Sequence, residues 1–228
     1  MAYKRSVCII VGIPIIFTLL LATLGIVLKP KDDLFTDEIS LQNVSFYNEF
    51  ATVPSEKIIN STEQPQNNQY PKMNELEASE VIVQVKPTGR YIKPLNSLLT
   101  EAVVTRSIKG EIHKDQIIYI MDWVMYLEEN DLRSQNGYIP MHKNTEYLLF
   151  LEKFPRTPTM PDFMDYGYVV NWGVYGKYAL NSEDTTFLLN NQDRAVSFDA
   201  SQKDAVLFSE EAYNRYMDLG KQVELQYK

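Results

Sequence analysis

Residues 7–28, "VCIIVGIPIIFTLLLATLGIVL", contain no charged side chain and are apolar on every side of a helix. At about 1.5 Å per residue, this segment makes a helix of roughly 33 Å, enough to cross a hydrocarbon core of about 30 Å. A helix packed on a soluble core usually keeps a polar stripe. The pattern therefore predicts an N-terminal transmembrane helix over residues 7–28.

A cleaved signal peptide is the main alternative for this segment. Signal peptides have apolar regions of about 7 to 15 residues followed by a small-x-small cleavage site. This segment is longer, and its only candidate site, "ATLG" at residues 22–25, places Thr23 and Leu24 where small residues are needed. We therefore expect an uncleaved signal-anchor.

The flanks of the anchor carry equal numbers of Lys and Arg, so charge decides its orientation only weakly. A large domain that follows a first apolar segment favours export of that domain. We expect a single-pass protein of the cell membrane, with a cytoplasmic tail at residues 1–6 and an extracytoplasmic C-terminal domain.

Residues 29–74 show few periodic apolar positions and include "NSTEQPQNNQYPK", which is rich in Asn, Gln and Pro. Such a composition buries little apolar surface. We interpret residues 29–74 as a juxtamembrane stalk or lead-in to the folded domain.

Residues 75–228 carry the pattern of a β-rich domain. Val81, Val83 and Val85 alternate with polar residues in "SEVIVQVK", the two-residue period of a strand. Further strands are predicted in "LLTEAVVTRSIKG", in residues 117–127 and in "EYLLFLEK", whose apolar run 147–151 is typical of a strand buried on both faces. The segment "YGYVVNWGVYGKYAL" predicts a hairpin that turns near Trp172, with Gly176 allowing a bulge.

The C-terminal segment predicts a helix over residues 209–222. Ser209 is a suitable N-cap, and Ala212, Tyr216, Leu219 and Val223 recur at helical spacing. Gly220 weakens the last turn. The predicted fold class is therefore mainly β with an α addition: an antiparallel barrel or sandwich followed by a C-terminal helix.

The order "ASEVIVQVKPTG", "LTEAVVTRSIKGE", "DQIIYI" and "YIPMHKNTEYLLFLEK" resembles a pattern in membrane-anchored surface proteins of Gram-positive bacteria. That pattern is similar to the five-stranded OB-type barrel of metalloprotease inhibitors and netrin modules. The resemblance covers residues 78–153 and implies an OB-like antiparallel barrel. It does not imply protease inhibition, because those inhibitors reach zinc with an N-terminal cysteine, and the only cysteine here is Cys8 in the apolar segment.

Charge and cysteine content narrow the function further. The net charge is −8, and all 30 acidic residues follow residue 31, together with 18 of the 22 basic ones. This excess of acid argues against binding to nucleic acid or docking on anionic lipid. A domain without cysteine suits a Gram-positive surface better than a eukaryotic secreted protein, which commonly carries disulfides.

The sequence contains no motif of a known catalytic or metal site. His113 and His142 are its only histidines and lie in no spaced pair such as HExxH, and no G-x-S-x-G, P-loop or G-x-G-x-x-G is present. We therefore expect no catalytic residue, metal or cofactor.

Aromatic residues are the strongest functional signal. They crowd residues 163–178, and the candidate binding residues are Phe163, Tyr166, Tyr168, Trp172, Tyr175 and Tyr178. Alternatively, the tyrosines line the core of the hairpin. The leading hypothesis is a non-enzymatic module that binds a protein or cell-envelope component, besides contacting the bilayer through residues 7–28. The alternatives are an accessory or immunity-type protein acting on a membrane partner, and a metal-dependent or cell-wall hydrolase.

Overall fold

The computed structural model describes residues 35–36, 39, 41, 44–47, 70–93, 97–126, 132–155, 160–180, 186–189 and 195–227. Within these residues, no helix is both long and apolar enough to cross a bilayer. The cytoplasmic tail and the anchor predicted at residues 1–28 lie outside the described part of the chain.

The described residues are mainly β-strand and end in one long helix. The strands are β1 (Phe35–Thr36), β2 (Val44–Tyr47), β3 (Val81–Ile92), β4 (Ser97–Lys109), β5 (Ile117–Tyr126), β6 (Leu132–Gln135), β7 (Glu146–Lys153), β8 (Gly167–Val170), β9 (Lys177–Leu180), β10 (Thr186–Leu188), β11 (Ala195–Phe198) and β12 (Ala205–Leu207). The helices are α1 (Met73–Glu77), α2 (Glu210–Tyr227) and two 3-10 helices, Asp162–Tyr166 and Gly173–Gly176. The predicted class, mainly β with a C-terminal helix, is confirmed.

The strand pairings join ten strands into one mixed sheet. Five of them pair in a cycle: β3 with β4, β4 with β5, β5 with β8, β8 with β7, and β7 with β3. The predicted antiparallel arrangement is only partly confirmed: most strand pairs are antiparallel, but β5 runs parallel to β8, β2 parallel to β6, and β10 parallel to β12. These parallel pairs join strands that are distant in sequence, which no local turn pattern reveals.

The segment predicted to form an aromatic hairpin has a different geometry. β8 and β9 do not pair with each other but follow one another along β7, antiparallel to it. The backbone N–H of Asn171 donates to the carbonyl of Phe150 at 2.8 Å, and residues 172–176 then leave the sheet before β9 begins. We call this excursion the Trp172 bulge (residues 171–176). The strands before and after it, β8 and β9, both pair with β7 and not with each other.

Two main apolar clusters lie on opposite faces of the central strands. Val81, Val83 and Val85 contribute to the first, which fills the inner side of the paired strands. Ile82 points the other way into the second, which lies beneath α2. Side chains of β7 belong to both clusters, and its residues 147–151 are fully buried as predicted.

Helix α2 closes the second cluster. Its buried side chains follow the predicted helical spacing and are Ala212, Tyr216, Leu219, Val223 and Tyr227. They cover the outer sides of β3, β7 and β9, where Phe150 and Tyr178 pack edge to face. The helix continues five residues past the predicted end, and Val223 and Tyr227 extend its buried side into the second cluster.

The predicted lead-in, residues 29–74, supplies part of this sheet. β1 pairs with the end of β3, and β2 lies between β6 and β11. Val44 and Phe46 of β2 are fully buried in the first cluster. Packing therefore begins well before residue 75.

Candidate functional site

The outward-facing side of β5 is apolar along its whole length. Its inward residues Ile118, Ile120 and Val124 belong to the first cluster. The outward residues, which we call the β5 face, are Ile117, Tyr119, Met121, Trp123 and Met125. Ile117, Trp123 and Met125 are 44%, 38% and 39% exposed. Helix α2 does not cover this strand, because its cluster contains residues of β3, β7 and β9 but none of β5.

One end of the β5 face opens into a groove with acidic walls. The groove has a volume of about 770 Å³ and is lined by Glu111, His113, Asp115, Gln116, Ile117, Tyr119, Asp162, Phe163 and Tyr166. The turn between β4 and β5 forms one wall, and the first 3-10 helix forms the other. We call this the acidic groove.

Two aromatic side chains that line the acidic groove, Tyr119 and Phe163, pack against each other. The rings of Tyr119 and Phe163 lie 5.1 Å apart in a tilted arrangement. Burial raises the pKa of Tyr119, and the charge and hydrogen bond of Glu101 raise it further. Glu101 is itself fixed, since it accepts hydrogen bonds from Thr88 at 2.9 Å and Arg90 at 3.3 Å.

At the other end of the β5 face, the exposed Trp123 and Met125 lie beside the bulge that carries the exposed Trp172; we call these three residues the tryptophan patch. The Trp123 indole N–H donates to the carbonyl of Val170 at 2.9 Å. A side-chain carbon built on Gly173 would lie 4.0 Å from the Trp123 ring, which places the Trp172 bulge against this indole. Both tryptophans of the chain therefore lie at one end of the sheet.

Trp172 has an unusual backbone for a bulky residue. Its φ of 60° and ψ of 20° lie in the left-handed region, which bulky residues rarely adopt. Such conformations are enriched at functional sites. Trp172 is nevertheless 40% exposed. The fold thus presents an indole to solvent on a strained and well-anchored turn.

The six candidate binding residues separate into two groups. Tyr166 is 49% exposed and Trp172 40%, while Phe163 is half-buried against Tyr119. The remaining three are buried: Tyr168 in the first cluster, and Tyr175 and Tyr178 in the second. The structure places the first three on the surface beside β5 and the others inside.

A cluster of polar side chains is buried inside the fold and includes Asp122 and Lys177, whose pKa values are shifted. Its members are Thr100, Asp122, Tyr138, Tyr147, Lys177 and Asp204. Lys177 donates to the carbonyls of Ile139 and Asp204, the latter at 3.0 Å, and its ammonium lies 4.8 Å from the centroid of the Tyr138 ring. This cluster joins β4, β5, β7 and β9.

Burial shifts the pKa values of Asp122 and Lys177 in the directions that favour their neutral forms. It raises the pKa of Asp122 to about 6, although hydrogen bonds from Thr100 and Tyr138 and the charge of Lys177 lower it. Burial also lowers the pKa of Lys177 to about 8, against the charges of Asp204 and Asp122. Because these groups are shielded from solvent, their evident role is to tie the strands together.

The two histidines have separate surroundings. His113 lines the acidic groove, whereas Nε2 of His142 lies 2.7 Å from the carbonyl of Lys203 and 3.9 Å from the Asp204 carboxylate. Within the described residues, no three His, Cys, Asp or Glu side chains are placed to hold a metal ion.

The sequence pattern does not reveal the β5 face, although its residues lie in a predicted strand. Both faces of this strand are apolar except for Asp122, so the alternation does not reveal which side is exposed. The signal that could have indicated this face is its side-chain chemistry, since four of the five outward residues are aromatic or methionine.

Comparison of the chain with family models, with characterised proteins and with solved structures finds no match.

Proposed function

We propose that the protein is a non-enzymatic binding module, held on the outer face of the membrane by residues 7–28, that captures a protein of the cell envelope through the β5 face. One observation carries this proposal: a row of five apolar side chains on β5 that ends at the exposed Trp123 and Met125, beside the exposed Trp172 of the bulge. Exposed apolar patches of this kind mark interaction sites, and Trp and Met are enriched at the centres of interfaces.

The rigidity of the tryptophan patch supports a role in binding. The Trp123 side chain is fixed by its hydrogen bond to Val170, and the backbone of the Trp172 bulge is held between two strands that pair with β7. Side chains that are ordered before binding lose less conformational entropy when the partner arrives. The strain at Trp172 is better explained by a binding role than by stability.

The strand order supports an OB-type barrel as the finer description of the fold. In the cycle β3–β4–β5–β8–β7, the second and third strands are β4 and β5. OB-type barrels bind their ligands on the face of the second and third strands. The β5 face therefore corresponds to the ligand-binding side of such a barrel.

The placement of the titratable groups supports a binding role rather than catalysis. Among the described residues, the acid and the lysine with strongly shifted pKa values, Asp122 and Lys177, are buried beneath the strands and do not line the acidic groove. An active site generally brings such groups to a cavity.

Site-specific photocrosslinking in the cells that produce the protein tests this function. A photoreactive amino acid at Met125 is expected to capture one envelope protein, and the same group at Leu225, which is 88% exposed on α2, is not. Combining Trp123→Ala with Trp172→Ala should abolish the Met125 crosslink.

Equal capture from both positions, or a Met125 crosslink that survives the double substitution, would refute the proposal. Tyr175→Ala is not a suitable probe, because Tyr175 packs 6.1 Å from Tyr216 beneath α2 and its loss would disturb the fold. Crosslinks obtained only from residues 7–28 would favour an accessory protein that acts through its anchor.

A further inference from the structure

The tryptophan patch lies at the end of the sheet where the N-terminal chain enters it. β1 is antiparallel to β3, with Phe35 beside Ile92, so the chain before Phe35 comes from the end at which β3 finishes. β5 is antiparallel to β4 and finishes at this same end, with Met125 beside Ser97 at the start of β4. Trp123 and Met125 therefore lie at the end from which the chain leads back to the predicted anchor.

The Trp172 bulge lies at the same end. β8 runs parallel to β5, with Val169 beside Met121, and the bulge follows the last residue of β8. Ile117 lies eight residues before Met125 on β5, about 26 Å away at roughly 3.3 Å per residue. The tryptophan patch is therefore close to the N-terminal chain, and the acidic groove is distant from it.

The chain between the anchor and the sheet limits the distance of the patch from the bilayer. The predicted anchor ends at Leu28 and β1 begins at Phe35. Fully extended, this connection spans at most about 25 Å. Phe35 is three strand spacings from Met125, about 15 Å around the sheet. A bilayer that holds residues 7–28 therefore keeps the patch within roughly 40 Å of its surface, at the membrane-facing end of the domain.

A patch in this position faces lipid and the proteins that emerge from lipid. Two observations favour a protein. The indole N–H of Trp123 donates to the carbonyl of Val170, whereas tryptophans at a lipid interface present a polar tip to the wet headgroup layer. The chain beyond residue 31 contains 30 acidic and 18 basic residues, and this excess of acid disfavours approach to anionic lipid.

We propose that the tryptophan patch captures an integral membrane protein, which it contacts at the membrane surface through an apolar segment next to one of the partner's transmembrane helices. This inference rests on the proposed function and on the predicted anchor, and it narrows the envelope partner to one embedded in the same bilayer. Confinement of both proteins to one membrane raises their effective concentration, so a small apolar patch suffices for capture.

Energy transfer to lipid tests the height of the patch above the bilayer. The chain has two tryptophans, both in the patch, so its tryptophan fluorescence reports on the patch alone. The full chain in phosphatidylcholine vesicles should transfer energy to a lipid with a dansyl headgroup. Twelve prolines inserted between Lys31 and Asp32 add about 37 Å and should reduce this transfer at least threefold. The same insert between Ala2 and Tyr3 is the control and should leave the transfer unchanged.

Brominated lipid tests whether lipid itself covers the patch. Phosphatidylcholine with bromine in its acyl chains quenches indoles that enter the bilayer. The reference is Leu21→Trp in the Trp123→Phe/Trp172→Phe background, which has its only tryptophan in the predicted anchor. The wild-type patch should be quenched at least fivefold less than this reference. Equal quenching would make lipid the occupant and overturn the proposal.

Photocrosslinking in cells tests the partner. The peptide captured by a photoreactive amino acid at Met125, identified by mass spectrometry, should lie directly beside an apolar segment of about 20 residues in the captured protein. The insert between Lys31 and Asp32 should reduce this crosslink at least fivefold relative to the insert between Ala2 and Tyr3, at equal amounts of protein on the cell surface.

Equal energy transfer from the two insert variants, or a captured protein without a transmembrane segment, would also overturn the inference. Its failure is distinguishable from failure of the proposed function. If Met125 captures one envelope protein that lacks such a segment, and Trp123→Ala/Trp172→Ala abolishes the crosslink, the binding function stands and only the membrane-embedded partner is removed. Absence of any capture at Met125 would refute the function and the inference together.

Discussion

At the scale of single residues, the buried polar cluster makes stability depend on pH. Asp122 accepts hydrogen bonds from Thr100 at 2.6 Å and Tyr138 at 3.0 Å, and it is 4% exposed. Burial disfavours its charged form more strongly than these hydrogen bonds favour it. The folded state therefore holds the Asp122 proton at pH values where an unfolded chain releases it.

This linkage predicts a specific difference between wild type and Asp122→Asn. Because the folded pKa of about 6 lies above the ordinary value of 3.8, the Asp122 contribution to stability falls as pH rises from about 4 to 6. The free energy of unfolding of wild type should fall by about 3 kcal/mol relative to Asp122→Asn across that window.

Urea denaturation at intervals between pH 4 and pH 7 measures this difference. Asp218→Asn, an exposed substitution on α2, is the control and should run parallel to wild type. A constant gap between wild type and Asp122→Asn would show that folding does not shift the pKa of Asp122 and would contradict this prediction.

At the scale of elements, the Trp172 bulge depends on one glycine. A β-carbon built on Gly176 would lie 2.0 Å from the carbonyl oxygen of Asn171, a distance that requires the backbone to move. Gly173, at the other end of the same 3-10 helix, has open space, with its nearest neighbour, the Trp123 ring, 4.0 Å away. The two glycines differ in steric demand although they lie three residues apart.

Gly176→Ala should therefore destabilise the protein by about 3 kcal/mol or more, since no flexible side chain gives way. Gly173→Ala should cost about 1 to 2 kcal/mol, from its φ of +56° alone. Urea denaturation followed by tryptophan fluorescence measures both, and Gly176→Ala should also change the folded-state spectrum because Trp172 moves. Equal costs would contradict the role assigned to Gly176.

The packing of α2 gives a second contrast at this scale. Leu219 is fully buried in the second cluster, and Leu225 is 88% exposed on the same helix. Leu219→Ala should cost about 2 to 5 kcal/mol, while Leu225→Ala should stay within about 0.5 kcal/mol of wild type. Chemical denaturation checks both, and a small effect at Leu219 would mean that α2 is not essential to the core.

Strands and helices could be predicted from the sequence where the spacing of apolar residues within one segment is enough to identify them. The alternation of Val81, Val83 and Val85 reports strand geometry directly, and the spacing of Tyr216, Leu219 and Val223 reports the helix. The pairing of β8 and β9 with β7 was not predictable, because it depends on contacts between distant segments. The local sequence pattern favours a hairpin at Trp172, because pairing two neighbouring segments costs the least chain entropy.

At the scale of the whole molecule, the candidate site combines segments that the sequence separates. Trp123 on β5 meets the bulge of Trp172 only because β8 runs beside both β5 and β7. The aromatic content of residues 163–178 was visible in the sequence, whereas the division into exposed Tyr166 and Trp172 and buried Tyr175 and Tyr178 follows from the position of α2.

The arrangement of the whole chain across a membrane is the remaining prediction. The apolar segment 7–28 predicts that α2 lies outside the cell and residue 2 inside. The chain contains one cysteine, Cys8, so single cysteines introduced into a Cys8→Ser background report topology without interference. Leu225→Cys is the natural outer position because its side chain is 88% exposed.

A membrane-impermeant maleimide added to intact cells should label Leu225→Cys fully and leave Ala2→Cys unlabelled. Ala2→Cys should react only after the membrane is permeabilised, which shows that the thiol itself is reactive. Labelling of Ala2→Cys but not Leu225→Cys in intact cells would reverse the orientation, and protection of both would place the domain inside the cell. In either case the β5 face would meet cytosolic proteins, and the proposed envelope partner would have to be abandoned.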